Sequence, residues 1–384
     1  MVLMIWPLVA LGLQAAATLP VIERAVRDGI ARGVFPGAVV VIGRRDTVLL
    51  AQGYGHLTWS ANSAVPRPDS TLYDLASLTK VVATTPAVML LVEAGRLRLD
   101  GPVREYLADF QGPGKDRVTV RQLLAHTSGL PAYRRFYEQA KDAVTLRRLV
   151  TEEPLRRTPG SRVEYSDLNG MLLGWIVEAV SGEPLDRFVR ERVFAPAGML
   201  ETRFQPPRAV WRRTAPVGVW RGTPVAGRVH DQHADRLGGV SGHAGLFSTG
   251  TDLARYAQIL LRGGRTASCS RLFREATVAE FTRAAAKGRS LGWEMRDTTT
   301  ADNAGTRLSA AAYGHTGFTG TSLWIDPEQD LFVIVLTNRV YAPRARRSIT
   351  QLKAIRGRVA DAAVDLLDGL MPAARARVGA GPRC

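Results

Sequence analysis

Runs of β-branched and apolar residues bounded by polar turns stand near the two ends of this 384-residue chain, and the long middle carries helical spacing instead. Gly37 to Ile42 and Thr47 to Gly53, joined by Gly43-Arg44-Arg45-Asp46, read as a hairpin. Strand signals resume with Gly292-Trp293-Glu294-Met295, then Thr321 to Ile325 and Leu331 to Leu336, the last two joined by the turn-rich Asp326-Pro327-Glu328-Gln329-Asp330. From Arg96 to about Arg236 the segments Val120 to Ala125, Thr145 to Thr151, Leu168 to Val180 and Leu185 to Val193 are helical in period and broken by Pro and Gly. Strands at both ends with helices between them predict an α/β (α+β) layout: one mixed lobe built from both termini, its antiparallel sheet flanked by helices, and an inserted all-helical lobe. The boundaries expected are about 18–76 and 245–371 for the mixed lobe and about 77–244 for the insertion. Val21 to Arg32 and Ile349 to Leu370 are the flanking helices, and Pro372 to Cys384 reads as a frayed basic tail.

A composition of 46% hydrophobic and 22% charged residues is that of an ordinary globular protein. The formal charge of +16 comes from 51 basic against 35 acidic residues, of which five are lysine. Arginine is scattered from Arg24 to Arg383 without an aromatic-interleaved basic stripe, so a compositional preference for arginine is favoured over polyanion binding, and no nucleic-acid partner is expected. Two cysteines, Cys269 and Cys384, exclude a disulfide framework and a cysteine-rich metal site, and leave a single bridge open. Met1 to Ala17 is apolar and ends in Ala15-Ala16-Ala17, as the hydrophobic region and cleavage site of a signal peptide do, although no basic residue precedes it. The expectation is an exported, periplasmic or extracellular monomer, with an N-terminal membrane anchor if the segment is not cleaved and a cytoplasmic protein if it is not a signal.

Ser77-Leu78-Thr79-Lys80, followed by the apolar run Val81 to Val92, sets a nucleophile and an amine one helical turn apart on one face. A serine hydroxyl needs a neighbouring base, and a buried lysine is that base only with a depressed pKa. Pro86 is expected to kink the helix, because it lacks an amide donor and crowds the Val82 carbonyl. Tyr165-Ser166-Asp167 precedes the helix from Leu168. Taken alone it is a cap, with Ser166 or Asp167 accepting from the first free amides. His315-Thr316-Gly317-Phe318 stands at or just before the strand Thr321 to Ile325, in a glycine-rich segment where a ligand can approach the backbone closely.

In this order, about 90 and 150 residues apart, the three elements resemble those of the penicillin-recognising serine hydrolases: class C β-lactamases, serine D-alanyl-D-alanine carboxypeptidases and related esterases. The resemblance extends to Gln122-Leu123-Leu124-Ala125-His126-Thr127-Ser128-Gly129-Leu130-Pro131 and to Ala244-Gly245-Leu246-Phe247-Ser248-Thr249 ahead of Asp252-Leu253-Ala254. It implies a β-lactamase/transpeptidase-like fold and a covalent acyl-enzyme on Ser77. It also implies general base and acid duty shared by Lys80 and Tyr165, and an oxyanion hole from the amides of Ser77 and Phe318. Asp167, His315, Thr316, Gly317 and Phe318 would then bind substrate, with His315 and Thr316 facing its carboxylate. Asp167 departs from the family's usual asparagine, and His315 from the lysine of β-lactamases. With an unperturbed pKa, His315 would lose its hold on a carboxylate above about pH 6.5. The implied substrate is a D-alanyl peptide of peptidoglycan or another small molecule, with β-lactam and ester hydrolysis as alternatives and a non-turnover sensing module as a further one. No Gly-x-Ser-x-Gly elbow occurs, which argues against an α/β-hydrolase.

No cofactor is expected. His230, Asp231, His233, Asp235 and His243 invite a metal reading, but their spacing matches no helix-borne ligand pair, so a hydrogen-bonded loop bordering the cleft and no metal is the expectation. His126 reads as a capping or core histidine. Thr249 with Asp252 reads as a capping box.

Overall fold

The computed structural model describes residues 6–300, 303–343 and 348–375. Its main sheet has six antiparallel strands: β1 (Gly37–Gly43), β2 (Val48–Gly55), β3 (Glu294–Met295), β4 (Tyr313–Thr316), β5 (Ser322–Asp326) and β6 (Leu331–Thr337). They lie in the order β2-β1-β6-β5-β4-β3, so the N-terminal hairpin pairs directly with the C-terminal one, Val40 opposite Val335. Every residue of β1 and β6 is buried, because both faces of these strands are covered. Ala38, Val40 and Ile42 point to one core with Val333 and Val335, while Val39 and Val41 point to the other with Ile334 and Leu336. Alternation with burial on both faces explains why the two strands read as continuous apolar runs.

The outer core is closed by helices α1 (Trp6–Ala31) and α5 (Ile349–Arg375), through Ile22, Ala25 and Val26 against Leu352, Ile355 and Val359. Helix α1 continues unbroken through Pro20 into the apolar N-terminal segment, and α5 runs past Pro372. The expected boundaries at residues 17 and 371 therefore coincide with no end of secondary structure. The remainder of the proposed basic tail, and with it Cys384, lies outside the described residues. Among the described residues no helix is long and apolar enough to cross a membrane.

The inner core joins the other sheet face to the inserted segment through α4 (Gly250–Leu261), α3 (Asp167–Ser181) and α2 (Thr85–Glu93). The insertion is not all helical. Within it Arg203–Phe204 joins Leu246–Ser248 and Tyr73–Asp74, which flank the insertion, in a small antiparallel sheet, and Gly218–Trp220 pairs with Thr223–Val225. These two- and three-residue strands are too short to leave an alternating pattern in sequence. Thr249 caps α4 by accepting from the Asp252 amide, but Asp252 does not reciprocate. Its carboxylate takes the Glu201 and Thr202 amides instead, at 2.8 and 2.9 Å.

Candidate active site

Ser77 stands after a tight turn in which Ala76 has φ 46°, a left-handed conformation that costs a non-glycine residue on the order of 1 kcal/mol. Asp74 holds this turn by accepting from the Ala76 amide at 2.8 Å and from the His230 amide at 2.7 Å. Its carboxyl, 2% exposed, is pushed up to about 6, since burial outweighs the two amides. A native carboxyl that holds its proton more tightly than the unfolded one loses stability as pH rises between the two pKa values. From about pH 4 to pH 6 this amounts to roughly 3 kcal/mol, at 1.36 kcal/mol per unit. Urea unfolding of Asp74→Asn, which cannot ionise, is expected to move relative to the parent by that amount in favour of asparagine between about pH 4 and pH 7. A difference independent of pH refutes this.

The helix after Ser77 is not a kinked α-helix. Lys80–Thr84 forms a π turn, with the Thr85 amide bonded to the Lys80 carbonyl, and the α-helix starts at Thr85 with Pro86 in its first turn. The wider turn takes the place of the kink, since it relieves the crowding that the proline ring imposes on the preceding turn. Lys80 is 4% exposed, and its ammonium has three acceptors: Ser77 Oγ at 3.1 Å, Asp167 Oδ1 at 2.8 Å and the His243 carbonyl at 3.2 Å. Burial presses the Lys80 pKa down, but the Asp167 carboxylate, with Tyr165 behind it, raises it further than burial lowers it. The depressed lysine pKa required for a resting base is thus absent; Lys80 is an ammonium with every proton engaged.

Tyr165-Ser166-Asp167 is not a side-chain cap for α3. Ser166 Oγ donates to the Pro131 carbonyl at 2.7 Å, and Asp167 is turned to Lys80. Helix α3 approaches Lys80 closely because Gly170 is there: a Cβ would lie 2.8 Å from His243 Cβ and 3.1 Å from Lys80 Cε. The loop is set by His126, buried with φ 56°, whose Nδ1 accepts from the Ser166 amide at 3.1 Å and whose ring lies 4.6 Å from that of Tyr165. Burial, then Arg289 and Lys80, hold His126 well below the usual histidine pKa. The Tyr165 hydroxyl is buried with no partner in hydrogen-bond geometry, and Lys80 Nζ lies 5.0 Å from its ring centroid. Burial raises its pKa; Lys80 opposes the rise.

His315-Thr316 ends β4, a strand of its own, rather than opening β5; His315 lies opposite Leu323. Gly317 permits a close approach, but to the chain itself: a Cβ would meet the Leu75 carbonyl at 2.3 Å. The turn after it is strapped to the segment before Ser77 by Thr319 Oγ1 donating to the Asp74 carbonyl at 2.6 Å and Thr321 Oγ1 donating to the Leu75 carbonyl at 3.0 Å. Buried Arg356 of α5 also holds it, donating to the Thr321 carbonyl at 2.7 Å. The Ser77 and Phe318 segments are thereby set side by side, and neither amide has an acceptor among the described residues. The Phe318 ring itself is 62% exposed.

His315 is 3% exposed, with Nδ1 bonded to the Thr316 carbonyl at 2.9 Å and Nε2 buried without a partner. Burial, then Arg289 and Lys80, keep it well below the usual histidine pKa. It is therefore neutral at pH 7 and is not the cation the motif suggested. That charge belongs to Arg289, whose Cζ lies 5.2 Å from the Tyr165 ring centroid and whose Nη1 is buried without a partner. Sequence reasoning missed Arg289, because a lone arginine in an arginine-rich chain carries no local signal.

Of the histidine-rich segment, His230 approaches the Phe318 ring at 5.5 Å and Asp235 pairs with Arg228. Asp231, His233 and His243 converge behind Lys80, a juxtaposition that their sequence spacing does not display.

A family model described as Beta-lactamase matches residues 22–357. A Salmonella agona protein named "Putative D-alanyl-D-alanine carboxypeptidase" is 30% identical over 357 residues, covering 82% of this chain and 81% of its own. One of the same name from Escherichia coli K12 is 36% identical over 307 residues, covering 72% and 70%. Among solved structures, a penicillin-binding protein homologue from Caulobacter crescentus superposes with a TM-score of 0.73 at 21% identity, over 92% of this chain and 97% of its own. EstCE1, described as a hydrolase with promiscuous acyltransferase activity, gives 0.71 at 23%, over 90% and 99%. With its antiparallel sheet flanked by helices, its inserted segment and a family match that spans most of its length, the chain belongs to the Beta-lactamase family, as a serine hydrolase.

Proposed function

We propose that this serine hydrolase forms a covalent acyl-enzyme on Ser77 and acts as a D-alanyl-D-alanine carboxypeptidase on cell-wall peptides. One observation carries the reading: Ser77 Oγ lies 3.1 Å from a fully engaged Lys80 ammonium, beside a buried Tyr165 hydroxyl that has no partner of its own. With Lys80 protonated, Tyr165 is the group left to take the Ser77 proton. The reactive form pairs its phenolate with the ammonium, and the proton passes from Ser77 to Tyr165 and on to the leaving amine. The amides of Ser77 and Phe318, both without acceptors, stabilise the tetrahedral oxyanion. Asp167 serves as counter-ion to Lys80 rather than as a substrate contact, and Thr316 and Gly317 line the strand along which the substrate lies. A fluorophosphonate or β-lactam adduct found on Ser77 by mass spectrometry, with faster turnover of a D-Ala-D-Ala peptide than of nitrocefin or a short p-nitrophenyl ester, is the expected result. Turnover of the ester alone overturns the substrate assignment.

Arg289 supports a carboxylate-bearing substrate, because its buried, unpartnered Nη1 needs an acceptor. A charged hydrogen bond contributes about 1.5–3 kcal/mol, so Arg289→Gln is expected to raise KM for a peptide with a free C-terminus by roughly 10- to 100-fold. KM for the neutral ester should change by less than about 3-fold. Since His315 is neutral, the peptide KM should also stay flat between about pH 6 and pH 8. Substrates of this kind lie outside the cytoplasmic membrane, and the apolar Met1 to Ala17 segment supports export to them. Cell fractionation that finds the protein in the cytoplasm removes that part of the reading.

A further inference from the structure

We propose that Asp231, His233 and His243 bind a divalent transition-metal ion, zinc by the chemistry of the donors, in a site directly behind the Ser77–Lys80 pair. Each offers one ligand atom, and these atoms lie within 4.8 Å of one another. The closest pair, His243 Nε2 and Asp231 Oδ1, is 2.9 Å apart. Zinc with bonds of about 2.0–2.1 Å sets tetrahedral ligands roughly 3.4 Å apart, so the observed spacings bracket the requirement and side-chain rotations of about one ångström close it. Two imidazoles and one carboxylate form a three-ligand set that leaves a fourth position for water.

A second observation points to a ligand independently of the clustering. His233 is 0% exposed, yet neither ring nitrogen has a hydrogen-bond partner. The Arg134 backbone lies near the ring but outside hydrogen-bond geometry. A histidine buried among the rings of Tyr133, Phe136 and Tyr137 would ordinarily be replaced by an apolar residue or satisfied. The outer contacts are those of a ligand set. His243 Nδ1 is held by Ser241 Oγ at 2.8 Å, which orients the ring, and Asp231 Oδ1 is steadied by the Ala234 amide at 2.8 Å. The Asp231 side chain is 23% exposed and gives the ion a path from solvent. With the ion on His243 Nε2, the ring carries its remaining proton on Nδ1 and donates it to Ser241 Oγ.

The site bears on the reaction centre through the backbone. The His243 carbonyl accepts from Lys80 Nζ, and the Gly242 carbonyl accepts from Thr84 Oγ1 at 2.7 Å. An ion that clamps His243 to the helix Gln232–Arg236 fixes the loop that holds Lys80 from behind.

The full chain, stripped with EDTA and titrated with zinc chloride by calorimetry, is expected to bind one equivalent and to melt at a higher temperature when loaded. Cobalt chloride should give the visible absorption of a tetrahedral centre. Ser241→Ala should weaken zinc binding by roughly 10- to 100-fold and His233→Ala by more, while His56→Ala, remote from the cluster, leaves it unchanged. His233→Phe, which keeps the aromatic packing, separates loss of the ligand from loss of the fold and should also abolish tight binding. Absence of zinc heat and cobalt absorption in the parent chain, or undiminished binding by a folded His233→Phe chain, overturns the proposal. Labelling of Ser77 in the same samples keeps the two readings apart: zinc binding without labelling leaves this site standing and counts against the acyl-enzyme.

Discussion

Ser77→Ala lowers turnover of a D-Ala-D-Ala peptide by about 10⁴-fold or more and abolishes the adduct left by a fluorophosphonate. The size of the effect follows from the surroundings. The other hydroxyls on this stretch are committed elsewhere: Thr79 Oγ1 accepts from the Leu246 amide, Thr84 Oγ1 donates to the Gly242 carbonyl, and Ser166 Oγ donates to the Pro131 carbonyl. Ser77 alone pairs a partly accessible oxygen with Lys80. Removing one nucleophile leaves only binding and oxyanion stabilisation, which no neighbouring oxygen can supplement. Intact-mass and peptide-mass measurements on parent and variant check this. An adduct that persists on another residue, or turnover reduced less than about 100-fold, would falsify the assignment of Ser77.

Tyr165→Phe is expected to lower kcat by roughly 10²- to 10⁴-fold, the range of a general acid–base group, without lowering stability. The ring contacts with His126 and His315, and its approach to Lys80 and Arg289, are all retained by phenylalanine. The lost oxygen has no hydrogen-bond partner in the resting protein, so its removal should leave the melting temperature level or slightly raised. The pH dependence gives the sharper test. Burial raises the Tyr165 pKa above that of free tyrosine, Lys80 opposing, so the phenolate is scarce at neutral pH and kcat/KM of the parent should climb as pH rises above 7. The variant should lack that rise. A Tyr165→Phe enzyme that keeps the alkaline climb, with a loss under about 10-fold, transfers the role of base to Lys80 after all.

His315 and Asp167 illustrate where local reading stops. His315 and Thr316 were legible as a motif, and their strand exists, but the positive charge expected of His315 below about pH 6.5 rested on an unperturbed pKa. Burial against Tyr165, with Arg289 and Lys80 nearby, removes that charge. Asp167 was legible as a departure from the family's asparagine. That it meets Lys80 depends on Gly170 allowing α3 to press against the lysine stem.

The sequence by itself determined the hairpins, the two flanking helices, the insertion between them and the order of the three site elements. These rest on periods of 2 and 3.6 residues and on turn chemistry, which are properties of neighbouring residues. It did not reveal the short strands in and beside the insertion, which persist only because they pair with one another. Tertiary structure alone decided the charge states of Lys80 and His315, the entry of Arg289 into the site and the convergence of Asp231, His233 and His243. The physical reason is common to all of them. A side chain's proton affinity and partners are set by what burial removes and what distant segments bring: the Asp167 carboxylate that keeps Lys80 charged lies 87 residues from it along the chain, and the His243 carbonyl that also accepts from it lies 163 away.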